Sequence, residues 1–394
     1  MTTWPPHFYF NKGLLSNYPE KKLQELKKIV SCCQKTGVPI IFTIKHLAKL
    51  LNMPFWLVYD YTRTNPYFNI PYKVYKVRKK SNTTRYRWIN IPSIYLCRIQ
   101  RWINKFILSK IKSSSFSYAF EEKRNIKMCA EMHIGCRWLI KFDIKNFFES
   151  ITEEMVYYVF LDMGYSRLFS YELTRLCTKR LEPLDKNDKY HNCYDKKISQ
   201  KFLKRNKWNI SDFYSKTKGF LPQGAPTSPR IANLVMRTFD EVVGKWALNN
   251  HLVYTRYADD LFLSSNEMDF SRKNACDVKK KIYGFLRQFN FEPNYTKTEI
   301  CSPKGKKIIL GLIVEHNAVF LQKKFKRLLE LHFFFCKKDL EKHTKEWKFD
   351  SVIGMYHYVK GLYSYANQIE PSFCKKIQRK YGRIEDIFSG IGST

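Results

Sequence analysis

The stretch Leu252-Val253-Tyr254-Thr255-Arg256-Tyr257-Ala258-Asp259-Asp260-Leu261-Phe262-Leu263 decides how this chain is read. Apolar runs stand on both sides of two adjacent acids, a pattern that predicts a strand, a tight turn and a returning strand. The flanks would hold the carboxylates rigidly while the turn lifts them clear of the core. Paired acids in such a position suit Mg²⁺, a hard cation that takes oxygen ligands and dehydrates reluctantly. A second apolar run, Trp138-Leu139-Ile140-Lys141-Phe142-Asp143, predicts a buried strand that also ends in an acid.

Composition sets the class. At 394 residues the chain has room for roughly two or three domains or subdomains. Hydrophobic residues make up 44% and aromatics 16%, ample for a core, so this is no basic tail. Lys and Arg number 70 against 35 acids, a formal charge of +35, with a pI near 9.7. That excess calls for a polyanionic partner, nucleic acid first and a membrane surface second. No run approaches the roughly 18 apolar residues of a spanning helix, and Met1-Thr2-Thr3-Trp4-Pro5-Pro6 lacks the order of a signal peptide. The 11 cysteines are scattered, with Cys32 and Cys33 adjacent on an expected helix and Cys97 and Cys336 among apolar neighbours. Reduced thiols in a cytoplasmic protein are the expectation. Cys129, His133 and Cys136 lie close together but lack a fourth ligand nearby, so zinc is not expected.

Along the chain, Ser16 or Asn17 is expected to cap a helix carrying Pro19 and Glu20 in its first turn. Leu23, Leu26, Val30 and Cys33 form its apolar stripe, and Gly37 with Pro39 ends it. A short helix fits Thr43 to Leu51. Tyr72 to Ile91 alternates basic and apolar residues and reads as a hairpin turning at Ser81-Asn82. Ser93 should cap a helix with Leu96, Ile99, Ile103, Phe106 and Ile107 inward and Arg98, Arg101 and Lys105 outward. Asp185 to Lys218 is polar, Lys-rich and without periodicity, as in a surface insertion. Helical patterns return after Ala232 and over Val278 to Phe289, with short strands around Ile308 to Val314. From Gln322 the chain is basic and helical in three segments. Lys323, Lys324, Lys326 and Arg327 open the first, Asp350 caps the second and Pro371 starts the third.

Nucleotidyl transfer by two divalent ions needs carboxylates from different strands to converge, which makes Asp143 the natural partner of Asp259. Here the chain resembles a reverse transcriptase. Asp143-Ile144-Lys145-Asn146-Phe147-Phe148 is similar to the first palm motif, with Asp143 as metal ligand and Phe148 at the place of the aromatic steric gate. Gly219-Phe220-Leu221-Pro222-Gln223-Gly224-Ala225-Pro226-Thr227-Ser228-Pro229 resembles the second, in which Gln223 approaches the template-nucleotide pair. Tyr257-Ala258-Asp259-Asp260 is similar to the third. Lys297 in Asn294-Tyr295-Thr296-Lys297-Thr298 resembles the lysine near the triphosphate, and Leu310-Gly311-Leu312 the hairpin that grips the primer end. Arg87-Trp88-Ile89 before Pro92 resembles the basic strand of the fingers that holds the incoming triphosphate.

The resemblance implies an α+β right-hand polymerase. Its regions would be an N-terminal helical part (1–70), fingers (71–135), a palm (136–318, with interleaved fingers and the insertion at 185–218) and a helical thumb (319–394). It implies two Mg²⁺ on Asp143, Asp259 and Asp260, and a nucleotide site of Arg87, Phe148, Gln223 and Lys297. Tyr257, Leu310, Gly311, Lys323, Lys324 and Arg327 would meet primer-template or RNA.

No protease, RNase H-like or Zn-type endonuclease motif follows the thumb, which points toward the bacterial retron enzymes. Those carry Asn-Ala-x-x-His before the first palm acid, and here Ala130 and His133 match while Cys129 stands for Asn. At the primer-grip hairpin Ile309-Leu310-Gly311 departs from the retron Val-Thr-Gly. A retron enzyme implies a structured non-coding RNA as template and primer, dNTPs, a small RNA-linked DNA product and a defence effector protein, with no membrane. The alternatives are another defence-associated or group II intron-derived reverse transcriptase, or a catalytically idle RNA-binding scaffold.

Overall fold

The computed structural model describes residues 6–63, 71–79, 82–180 and 219–389. The expected insertion at 185–218 and Ser81 of the expected turn lie outside the described residues. Helices α1 (Pro6–Leu15), α2 (Glu20–Thr36), α3 (Ile44–Leu51) and α4 (Phe55–Asp60) come first. Neither Ser16 nor Asn17 caps α2. Pro19 precedes it without a side-chain cap, because Asn17 is spent on the turn out of α1 at φ 56°. Thr43 does cap α3, its hydroxyl accepting from the His46 N–H at 3.2 Å.

The basic hairpin forms as β1 (Tyr72–Lys79) and β2 (Asn82–Pro92), antiparallel from Tyr72 opposite Pro92. Helix α5 (Ile94–Phe106) follows and buries Leu96, Ile99 and Ile103. Two details differ from expectation. The Ser93 hydroxyl bonds the Tyr61 hydroxyl (2.8 Å) and does not cap the helix. Phe106 is exposed, because α5 ends there and Ile107 takes the core position beyond it.

Next come α6 (Ile126–Glu131), β3 (Trp138–Asp143), α7 (Phe147–Ser150), α8 (Glu153–Asp162), α9 (Arg167–Cys177) and β4 (Lys179–Arg180). After the insertion, β5 (Gly219–Phe220) pairs with β4 and leads into α10 (Ser228–Val235) and α11 (Arg237–Asn249). The acidic hairpin is β6 (Val253–Tyr257) and β7 (Asp260–Ser265). Helix α12 (Arg272–Gln288) starts six residues before the expected Val278, because Ser271 and Asn274 close a capping box there.

Strand β8 (Glu299–Cys301) completes an antiparallel sheet of order β6-β7-β3-β8. Alternation along its strands sends side chains to two faces. Ile140, Phe142, Leu261 and Leu263 join one core with α3, α5, α8, α9 and α11. Leu139 and Phe262 join a second with α6 and the small sheet β9 (Lys307–Ile309), β10 (Leu312–Val314) and β11 (Val319–Leu321). Each fully buried aliphatic or aromatic side chain contributes roughly 1.5–3 kcal/mol, so the sheet is fixed from both sides.

The second core continues into α13 (Lys323–Lys338), α14 (Leu340–Glu346), α15 (Val352–Ile369), α16 (Pro371–Tyr381) and α17 (Ile384–Ile387). Pro371 starts α16 as expected. Asp350 caps nothing; Ser351 accepts from the Gly354 N–H at 3.1 Å, and the extra helix α14 is capped by Asp339. Lys326 is not a free basic residue either, since it pairs with Glu370 at 2.6 Å.

His133 ties the sheet from beneath. Its Nδ1 meets the Ser264 hydroxyl at 2.7 Å and its Nε2 the Thr255 hydroxyl at 2.8 Å, while Cys129 Sγ lies 3.4 Å from the same Thr255. Burial pulls the imidazole down from its ordinary 6.5 to about 3. The unfolded chain therefore gains a proton that the folded chain refuses once the pH falls below 6.5. This part of the stability is complete above that pH and is lost downward at a slope approaching about 1.4 kcal/mol per pH unit. Melting curves from pH 7 to pH 5 should show His133→Asn less stable than wild type at pH 7 but with a shallower acid limb.

Candidate active site

Two registers build the acidic cluster. Asp143 on β3 lies directly opposite Asp260 on β7, and Tyr257 on β6 is opposite the same Asp260. Ala258 and Asp259 alone therefore make the turn. Ala258 is held at φ 57°, a left-handed conformation that costs a residue with a Cβ about 1–2 kcal/mol. The Asp259 carbonyl accepts from the Ile144 N–H at 3.0 Å, which clips the turn to the end of β3.

Beneath the turn lies a buried polar network that the motifs did not announce. The fully buried Arg256 guanidinium donates to both oxygens of Asp240 at 2.8 Å, to Asn233 Oδ1 at 3.1 Å and to the Ala258 carbonyl at 3.1 Å. Tyr254 donates its hydroxyl to Asp240 at 2.8 Å. The available signal was an arginine inside an apolar strand, with two carboxylates, Asp240 and Glu241, on the preceding helix, of which Asp240 is the buried one that receives it. Asn294 was likewise missed as a contact of the site. Its side-chain amide donates to Asp143 Oδ1 at 2.7 Å and its main-chain N–H to the Asp143 carbonyl at 2.8 Å.

Lys297 comes to the same acid, its ammonium 2.5 Å from Asp143 Oδ2. Burial pushes the Asp260 carboxyl up to about 7, Asp259 and Asp143 add to the rise, and Lys297 and Lys141 oppose it. Asp259 is raised as well, by burial and by Asp143, against its own backbone N–H, Lys297 and Arg87. Among the described residues no group of three or more His, Cys, Asp or Glu side chains is arranged to hold a metal ion, and Asp143 is turned to Asn294 and Lys297 instead. The donor set nonetheless fits a hard divalent cation. It is all oxygen, and a cation would relieve the burial and mutual repulsion that raise these carboxyls.

Arg87 is exposed on β2, within electrostatic reach of Asp259. Three residues on, the Asn90 N–H donates to the Gln223 carbonyl at 2.7 Å, so the basic hairpin and the Gly-Pro loop meet main chain to main chain. Gly224 has φ 115°, and a Cβ there would stand 2.8 Å from the Asn90 carbonyl. Phe148 is half-buried, its ring centroid 5.5 Å from Phe147 and 6.5 Å from Phe120. Leu310 and Gly311 form a two-residue turn between β9 and β10 with φ 49° and 82°, and Gln322 donates to the Gly311 carbonyl at 3.0 Å. Tyr257 is half-buried beside the acids, and Lys323, Lys324 and Arg327 are exposed at the start of α13. Ala130 and His133 are buried behind the sheet, away from solvent.

The reverse transcriptase (RNA-dependent DNA polymerase) family matches residues 77–328, well over half of the chain. The chain belongs to that family. It is 30% identical over 315 residues to the retron Ec86 reverse transcriptase of Escherichia coli, covering 79% of this chain and 83% of that one. It is 32% identical over 319 residues to the retron Ec73 reverse transcriptase of the same species, covering 79% and 87%. This is a bacterial retron-type reverse transcriptase. The enzyme is thus an RNA-directed DNA polymerase with the right-hand α+β fold. Among the described residues no helix is long and apolar enough to cross a membrane.

One variant tests how the reverse transcriptase joins its hairpin to its Gly-Pro loop. Gly224→Ala must either break the Asn90–Gln223 contact or strain the loop, at about 1–3 kcal/mol. Primer extension with varied dNTP should show a rise in KM of about tenfold or more, while melting falls by only a few degrees.

Proposed function

We propose that this polymerase copies a dedicated structured non-coding RNA, which is both template and primer, into a small RNA-linked DNA. The observation that carries the reading is the register that sets Asp143 against Asp260, with Asp259 in the turn and Lys297 on Asp143. In this reading Asp143, Asp259 and Asp260 would hold two Mg²⁺, which would supply activation of the primer hydroxyl and stabilisation of the leaving pyrophosphate. Arg87 and Lys297 orient the triphosphate, and Lys297 carries a proton within reach of the leaving group. Gln223 lies along the template-nucleotide pair. Phe148 stands where a ribose 2′-OH would enter and selects deoxynucleotides by exclusion.

The strained Leu310-Gly311 turn, with Tyr257, seats the primer end. Lys323, Lys324 and Arg327 follow the phosphates of the RNA–DNA duplex, so affinity falls steeply with salt. The boundaries near residues 70, 135 and 318 are proposed to separate the N-terminal region, fingers, palm and thumb. The product is proposed to act in the cytoplasm with an effector protein in defence against phage.

The test is a denaturing gel of nucleic acid copurified from bacteria that express the enzyme with its native flanking DNA. A DNase-sensitive species that shortens with RNase and is absent from Asp259→Asn is the expected result. RNA alone in both samples would refute the RNA-linked product. With the same preparation, Phe148→Ala should raise ribonucleotide incorporation by about tenfold or more, the loss of a steric clash being worth at least about 1.4 kcal/mol in discrimination.

A further inference from the structure

The turn that carries the acids is held at a conformation its own sequence disfavours, and beside the main-chain clip from Ile144 one side chain restrains it. Ala258 is at φ 57°. Its carbonyl belongs to the peptide that joins Ala258 to Asp259, so the tilt of that peptide sets where the Asp259 side chain departs. The carbonyl points into the protein, where Arg256 Nη1 donates to it at 3.1 Å.

Arg256 is well built for this task. A guanidinium is planar and offers five donors in a rigid fork. Nε and Nη2 are taken by the two oxygens of Asp240, each at 2.8 Å, and Nη1 is shared by Asn233 Oδ1 and the Ala258 carbonyl. Asp240 is itself buried and receives Tyr254. Asn233 is pinned from three sides: Ser117 donates to its oxygen at 3.0 Å, and its amide donates to the Ala119 carbonyl and to Glu121, both at 2.7 Å. The main chain of Arg256 is fixed too, donating to the Phe116 carbonyl at 2.8 Å and accepting from the Tyr118 N–H at 2.8 Å.

Charge neutralisation alone does not explain this arrangement. A lysine would neutralise Asp240 equally well, and an apolar pair of similar volume would often be neutral or stabilising in place of a buried ion pair. What neither could do is reach Asp240, Asn233 and the Ala258 carbonyl together. We propose that Arg256 is a positioning residue for polymerisation, holding the Ala258–Asp259 peptide so that Asp259 and Asp260 face Asp143. The inference rests on the function proposed above.

The experiment uses full-length wild type, Arg256→Lys and the double variant Arg256→Met/Asp240→Leu. Three quantities are read: cooperative melting, Mn²⁺ affinity of the nucleic-acid-free protein by electron paramagnetic resonance, and kcat and KM for dNTP on an RNA template with an annealed DNA primer. The double variant is expected to melt near wild type. Its kcat should fall about 100-fold, the scale of a 1 Å misplacement, with KM for dNTP within about threefold. Its Mn²⁺ affinity should weaken about tenfold, as for loss of a group that orients ligands. In Arg256→Lys, stability should recover further than kcat does.

A folded variant with wild-type kcat and Mn²⁺ affinity overturns the proposal. So does kcat that recovers in step with stability, and so does a set in which neither variant folds, since Arg256 would then serve folding alone. If wild type binds Mn²⁺ but extends no primer, the polymerase reading fails instead, and the Mn²⁺ titration still decides the role of Arg256.

Discussion

Antiparallel pairing of β3 with β7, with Asp143 opposite Asp260, is the constraint on which the rest of the molecule depends. A slip of one residue would send every side chain of one strand to the wrong face. Asp143 would leave the acidic end, and Ile140 and Phe142 would leave their core. Both cores oppose such a slip, because Ile140, Phe142, Leu261 and Leu263 fill one and Leu139 and Phe262 the other. The same burial that stabilises the fold thus holds three carboxyl groups near one another.

That proximity has a physical cost which the site carries openly. Burial and the neighbouring acids raise Asp259 and Asp260, and only part of the repulsion is offset, by Lys297, Arg87 and Lys141. Behind the acids the compensation is complete, in the closed network of Arg256, Asp240, Tyr254 and Asn233. The two layers divide the work. A fully paired polar layer keeps the turn rigid, and an incompletely neutralised outer layer keeps an appetite for cations.

The contacts around the acidic cluster are assembled across long sequence separations. Asn90 bonds Gln223, and Asn294 and Lys297 reach Asp143. Two turns carry left-handed backbone, at Ala258 beside the acids and at Leu310-Gly311 between β9 and β10. Strain of this kind persists where surrounding contacts over-determine the backbone. Here the restraining contacts are Arg256 to the Ala258 carbonyl and Gln322 to that of Gly311.

Much of this could be read from the chain. Continuous apolar runs next to acids pointed to β3, β6 and β7, because such runs and the turn chemistry between them are local. The Gly-Pro loop and the basic hairpin were legible for the same reason. Cap positions were less so: Asn17 went to a turn, Ser93 to Tyr61, and Ser351 took the role expected of Asp350, since a hydroxyl or amide can serve several nearby partners. His133 stood in a recognisable motif, yet its partners Thr255 and Ser264 lie more than a hundred residues away. By itself the sequence determined which carboxylates exist, which strands carry them and what family of chemistry they serve. Tertiary structure alone decided that Arg256 is an internal brace and that Asn294 turns Asp143, because a side chain's bond partner depends on what folding brings beside it, and spacing along the chain does not encode that.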